Sequence, residues 1–182
     1  MKKLSAIIFL LTLFYSCSTT INSLYNFDYP LTSQKAYSKN TNISVNIPDG
    51  WFTAEENECK CIDLWLIKND YSQSLNFTII NADDETRKNI HTNGILKLAE
   101  YCKLFVRAKS GNLFKGFFNE ENFAIGKKQF YAYQYSDESG KNIRVVLFEH
   151  NNRFYELSAI SNNSTDYEKL WVIQNTVLTS LN

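Results

Sequence analysis

The chain has 182 residues, 44% hydrophobic and 15% aromatic, with 19 basic side chains against 19 acidic ones. That composition excludes a disordered polyelectrolyte, and the overall charge supplies no electrostatic reason to bind nucleic acid or an acidic membrane surface. The length suits one ordinary domain with a real core.

The first residues read as an export signal. Lys2 and Lys3 precede an apolar run from Leu4 to Tyr15 interrupted only by Ser5 and Thr12. A run of about a dozen residues is too short to span a bilayer, which needs roughly 20. The run ends in Phe14-Tyr15-Ser16-Cys17, where Ser16 and Cys17 fit a bacterial lipobox and Phe14 and Tyr15 are bulkier than its usual residues. We read residues 1–16 as a lipoprotein signal peptide and Cys17 as the site of lipid attachment, with palmitate-class acyl chains as the covalent group. An ordinary secretory signal cut nearby is the alternative. Two or three acyl chains, at about 0.8 kcal/mol per buried methylene, make such an anchor effectively permanent. Four Asn-x-Ser/Thr sequons occur, at Asn42, Asn76, Asn162 and Asn163, but 21 Asn and 28 Ser or Thr in 182 residues give roughly three by chance. The bacterial reading therefore stands, with the chain held at the cell envelope and the membrane and leaflet left open.

Residues 17–41 are expected to form a tether, since 12 of the 25 residues from Ser18 to Asn42 are Ser, Thr or Asn. Within it Tyr25, Phe27 and Tyr29 alternate with polar residues, which suits a docked edge segment. The domain proper is expected over 42–182. Ile43, Val45 and Ile47 alternate along a strand stopped by Pro48-Asp49-Gly50, and "CIDLWLIKN" and "SLNFTII" read as two further strands. Ile95, Leu98, Ala99, Cys102, Phe105 and Val106 form the apolar stripe of a helix.

Four strand-like runs follow: "LFKGFF", "KQFYAYQYS", "NIRVVLFEH" and "RFYELSAIS". Gly140 lies in the turn between the second and third, and Asn151-Asn152 sits where a two-residue hairpin requires positive φ. A last helix is announced by the capping box Thr165-x-x-Glu168. On its inward face Tyr167, Leu170, Trp171, Val177, Leu178 and Leu181 are joined by one polar residue, Gln174. These elements predict an α+β domain with a largely antiparallel sheet of six or seven strands, covered on both faces by two main helices.

The opening "ISVNIPDGW", the meander "FYAYQYSDESGKNIRVVLFEHNNRFYELSAIS" and the final "DYEKLWVIQNTVLTSL" resemble the PsbP-like family, named for a photosystem II accessory protein and including small bacterial lipoproteins. The resemblance covers about residues 41 to 182. It implies a three-layer α/β/α sandwich and, because better-known members bind other proteins, a non-catalytic role. No family catalytic motif is matched.

Candidate chemistry is sparse. Cys59 and Cys61, two residues apart on a strand, could join Cys102 in a disulfide, with Cys61–Cys102 preferred and Cys59 as the alternative to Cys61. Such a loop of about 40 residues would contribute roughly 3 to 4 kcal/mol. Equally, Cys102 reads as a small buried hydrophobe. A metal on these thiols and His91 lacks the usual C-x₂₋₄-C spacing, so no metal or other cofactor is expected. Tyr131, Tyr133 and Tyr135 share one strand face, with Arg144 and Tyr155 on neighbours, and offer a possible aromatic binding face. Packing beneath a helix is the ordinary explanation. Asp83-Asp84-Glu85 and Glu120-Glu121 read as solvated loop charges. Neither His91 nor His150 has a nucleophile at a recognisable spacing.

The sequence therefore points to an envelope lipoprotein attached to the membrane by its lipid and binding an envelope protein or component without catalysis, with the oligomeric state open and a monomer favoured. A small-ligand module, or a thiol-based or hydrolytic enzyme using Cys59, Cys61 and Cys102, are the alternatives.

Overall fold

The computed structural model describes residues 27–54, 61–162 and 166–182. The readings of Cys17, Cys59 and Thr165 lie outside them. Nine strands and three helices follow in order: β1 (Leu31–Tyr37), β2 (Ser44–Pro48), β3 (Trp51–Thr53), β4 (Leu64–Lys68), β5 (Gln73–Ile80), α1 (Asp84–Asn93), α2 (Ile95–Ser110), β6 (Phe117–Ile125), β7 (Lys128–Ser136), β8 (Asn142–His150), β9 (Arg153–Ser161) and α3 (Tyr167–Thr179). A 3₁₀ turn, Gly111–Leu113, follows α2.

Seven strands form one antiparallel sheet in the order β3-β4-β5-β9-β8-β7-β6, and β1 pairs with β2 as a separate ribbon. The turns carry the expected chemistry. Asn151 and Asn152 have φ of 49° and 60° and join β8 to β9 in a two-residue hairpin, with His150 opposite Arg153. In the β7–β8 loop the Asp137 carboxylate accepts hydrogen bonds from Ser139 and Lys141 while Gly140 takes φ of 81°.

Period-two alternation sends the sheet's side chains into two cores. On one face Phe130, Ala132, Val146, Phe148, Tyr155 and Leu157 pack with Leu170, Ile173 and Val177 of α3, with Val45 of β2 and with Ile43 just before it. On the other, Tyr131, Tyr133, Val145, Leu147 and Phe154 pack with Ile90 of α1 and Leu98, Ala99 and Cys102 of α2. The result is the three-layer α/β/α sandwich.

A buried charge joins sheet to helix on the α3 side. Arg144 is 1% exposed, and its Nη1 donates to Gln174 Oε1 at 2.6 Å and Asn175 Oδ1 at 2.9 Å, while Nη2 donates to Glu121 Oε1 at 2.5 Å. Gln174 Nε2 in turn donates to the carbonyls of Leu157 and Arg144. Gln174, the polar residue on α3's apolar face, is thus the group that receives the arginine. Beyond α3 the C-terminus is stitched to β2, Ser44 and Asn182 exchanging two backbone hydrogen bonds of 2.8 and 3.0 Å. The β1–β2 turn is tied to the sheet through Asp63, whose carboxylate accepts from Ser38 Oγ and Thr41 Oγ1, both at 2.7 Å.

Several local expectations are corrected. Leu31–Tyr37 forms a docked edge strand, so part of the expected tether belongs to the folded body; of the Tyr25-Phe27-Tyr29 segment, Tyr25 lies outside the described residues and Tyr29 packs against the core. Asp83-Asp84-Glu85 opens a helix: Asp83 Oδ1 accepts from Thr86 N at 2.8 Å as an N-cap, and that bond lowers its pKa. Glu120 and Glu121 lie on β6 and are paired, not loop charges. Among the described residues Asp166 is the N-cap of α3, without a side-chain capping bond. On α2, Val106 holds the inward place one turn after Cys102, and Phe105 turns out to 74% exposure.

Replacing Arg144 by Met is expected to cost about 3–5 kcal/mol, because Glu121, Gln174 and Asn175 would lose their shared partner in a dry site. Urea unfolding followed by far-UV circular dichroism measures it. A loss under about 1 kcal/mol would show that the node contributes little to docking α3.

Candidate functional site

The thiols expected to cooperate are separated. Cys61 is disulfide-bonded and Cys102 is a free, buried thiol, so the expected bridge to Cys102, from Cys61 or from Cys59, is not made. Geometry explains this. Cys61 precedes β4, while α2 packs over β7 and β8, and β4 lies three strands from β8. Three strand spacings amount to roughly 14 Å, about twice the Cα separation that a disulfide tolerates. Burial among apolar side chains, with Glu156 nearby, pushes the Cys102 thiol up to about 12, so the nucleophilic thiolate is suppressed.

The tyrosine face is also closed. Tyr131 and Tyr133 are 7% and 0% exposed, roofed by α2. Desolvation raises the pKa of all three phenols, that of Tyr135 to about 12. Tyr131 Oη bonds Glu120, which also receives Lys103 Nζ at 2.6 Å. Arg144 and Tyr155 do not extend this face, because the register sets Arg144 opposite Gln134 and Ile143 opposite Tyr135. That places Arg144 and Tyr155 in the α3 layer, so the expected aromatic binding face is cross-strand packing under a helix.

The groups brought together at the surface are ones that sequence reasoning kept apart. A cleft of about 600 Å³ opens where the α1–α2 junction meets the β6–β7 turn and the β8–β9 hairpin. Both histidines of the chain line it. Ile90, Ile95 and Phe154 supply its apolar lining, while Lys127, Gln129, Glu149, Asn151 and Asn152 add polar groups. His91 Nδ1 lies 3.7 Å from Glu149 Oε2, a half-exposed pair that contributes little to stability. Burial lowers the pKa of His150, helped by the Lys128 charge and opposed by a hydrogen bond with the Asn182 backbone. The neutral ring therefore prevails at neutral pH.

One wall is braced. Arg87 Nη1 donates to the Asn152 carbonyl at 2.9 Å while its guanidinium lies over Phe154, whose ring centroid is also 5.5 Å from that of His91. The lining has no Ser, Thr or Cys, and among the described residues no three His, Cys, Asp or Glu side chains converge as a metal site. What the cleft offers is hydrogen-bond recognition around an apolar patch. No local motif announces it, since its residues come from positions 90 to 154 and meet only through the topology.

Under α2, Glu156 is the other perturbed group. Desolvation raises its pKa against a 2.6 Å hydrogen bond from Ser158 Oγ and the Lys109 charge. The folded state thus holds this proton more tightly than the unfolded chain, and stability falls as pH rises above about 4.5, the ordinary value. Glu156→Gln, which keeps an acceptor for Ser158, is expected to be more stable than the parent at pH 7, the difference shrinking toward pH 4. Thermal unfolding across pH 4–8 checks this, and a constant difference would place the effect outside the titration.

Comparison with known proteins supports the fold. No protein-family model and no curated protein sequence matches the chain. Among solved structures it is similar to cyanobacterial PsbP (CyanoP) from Synechocystis sp. PCC 6803, determined in solution, with a TM-score of 0.58 and 12% identity. The match covers 82% of this chain and 91% of that one. At that identity the likeness establishes a PsbP-like fold.

Proposed function

We propose that this chain is a bacterial cell-envelope lipoprotein, anchored by a lipid on Cys17, whose PsbP-like domain binds an envelope protein or component without catalysis. The observation that carries the reading is the likeness to CyanoP over 82% of the chain. The chemistry of the interior favours it too. A thiol enzyme needs an accessible, acidic thiol, whereas Cys102 is 6% exposed with its pKa pushed up to about 12, and Cys61 is already oxidised.

The cleft at the β8–β9 hairpin is the natural recognition surface. Its walls are hairpin and helix ends held by Arg87, so little ordering has to occur on binding. A cleft of about 600 Å³ also suits a small polar ligand, the second reading.

Two measurements test the proposal. Mass spectrometry of the membrane fraction is expected to find Cys17 as an acylated first residue, and an unmodified Cys17 or cleavage elsewhere would remove the anchor. A photo-crosslinking residue placed at Asn151 in the native envelope is expected to capture a discrete protein adduct that an identical probe at Tyr37 does not. The same adducts from both positions would argue against the cleft as the binding surface.

A further inference from the structure

The balanced overall charge conceals a local asymmetry. Residues 95–118, spanning α2, the 3₁₀ turn and the start of β6, hold Lys97, Lys103, Arg107, Lys109 and Lys115 against Glu100 alone. Lys97 is paired with Glu100 and Lys103 with Glu120. Arg107, Lys109 and Lys115 are exposed and form no ion pair among the described residues.

The same stretch holds most of the protein's misplaced apolar surface. Of seven large hydrophobic residues exposed among the described residues, five lie here: Leu96, Leu104, Phe105, Leu113 and Phe118. Phe105 at 74%, Leu104 at 59% and Leu113 at 56% stand well out of the surface. Exposed leucines scattered singly need no explanation. Five along one helix and its continuation, interleaved with unpaired cations, do.

We propose that the outer surface of α2 and the turn after it rests on an anionic lipid bilayer, with Leu104, Phe105 and Leu113 entering the headgroup–acyl boundary and Arg107, Lys109 and Lys115 meeting lipid phosphates. Apolar side chains among cations are what an interfacial helix needs: the first gain from burial and the second from the surface potential. The 16 residues of α2 give a contact line of about 24 Å. A helix back is convex, and a bilayer accepts a convex surface without a matching groove. An acidic protein partner shares the charge complementarity but would have to supply one. This contact is separate from the lipid anchor and from the cleft, and it stands on the placement of α2's side chains whether or not Cys17 is acylated.

The test uses the full chain as isolated from cells, carrying Phe105→Trp, mixed with vesicles of phosphatidylcholine and brominated phosphatidylglycerol. The parent protein, with its native Trp51, Trp65 and Trp171, sets the baseline. The expected result is bromine quenching of the new indole above that baseline, weakening with added salt. Reversing Arg107, Lys109 and Lys115 to Glu should abolish the excess, since each cation near an anionic surface is worth about fivefold in partition. Co-sedimentation reports the anchor independently: an acylated variant still sediments after losing the quenching. An indole that stays unquenched on vesicles would overturn the proposal and leave the surface to an acidic protein. A blue shift that depends on protein concentration without lipid would overturn it in favour of a second copy of the chain.

Discussion

A guanidinium cannot be left dry and unpaired, and Arg144 sits at the centre of the α3 layer. Its demand for acceptors sets much of what surrounds it: Gln174 and Asn175 must arrive together on one turn of α3, and Glu121 must reach in from β6. Apolar packing alone would let a helix slide along a sheet of Val, Leu and Phe side chains with little penalty. A fork of directed hydrogen bonds permits one register. With α3 so placed, its C-terminal end meets β2, and β2 carries β1.

The opposite seam is held differently. Beneath α2 the contacts are apolar and aromatic, and burial raises the pKa of the acidic groups there, Tyr133, Cys102 and Glu156. One face of the sheet is thus pinned by a charge and the other closed by hydrophobic burial, which disfavours ionisation of the acids beneath α2. The same burial keeps the Cys102 thiol un-ionised.

Much of the fold was legible in the sequence because the meander is locally consistent. Alternation along β7, β8 and β9 and the Asn-Asn hairpin each specify the same sheet, and both α2 and α3 show helical stripes. What was missed lacked a periodic signal. Helix α1 has one buried residue, Ile90, and is held by a capping bond and the Arg87 contacts. Strand β1 has one buried residue, Ala36, and forms because β2 offers it an edge. The partner of Gln174 lies thirty residues away on a strand, and the two histidines that line the cleft are 59 positions apart (150 − 91). The cysteines misled because compartment and loop length argue for a bridge without saying which strands lie between. On the tyrosines the ordinary explanation, packing beneath a helix, held.

Whether the interior is closed is reported directly by Cys102, which is buried beneath α2. Its rate of modification by a soluble thiol reagent, followed in the native protein from pH 6 to 9 and then in rising urea, distinguishes the two cases. A closed interior gives negligible modification of Cys102 in the folded chain throughout that pH range, with the rate rising only as the fraction unfolded rises. Rapid modification of the native protein, increasing through a titration below pH 8, would contradict it and return the thiol to the centre of the chemistry.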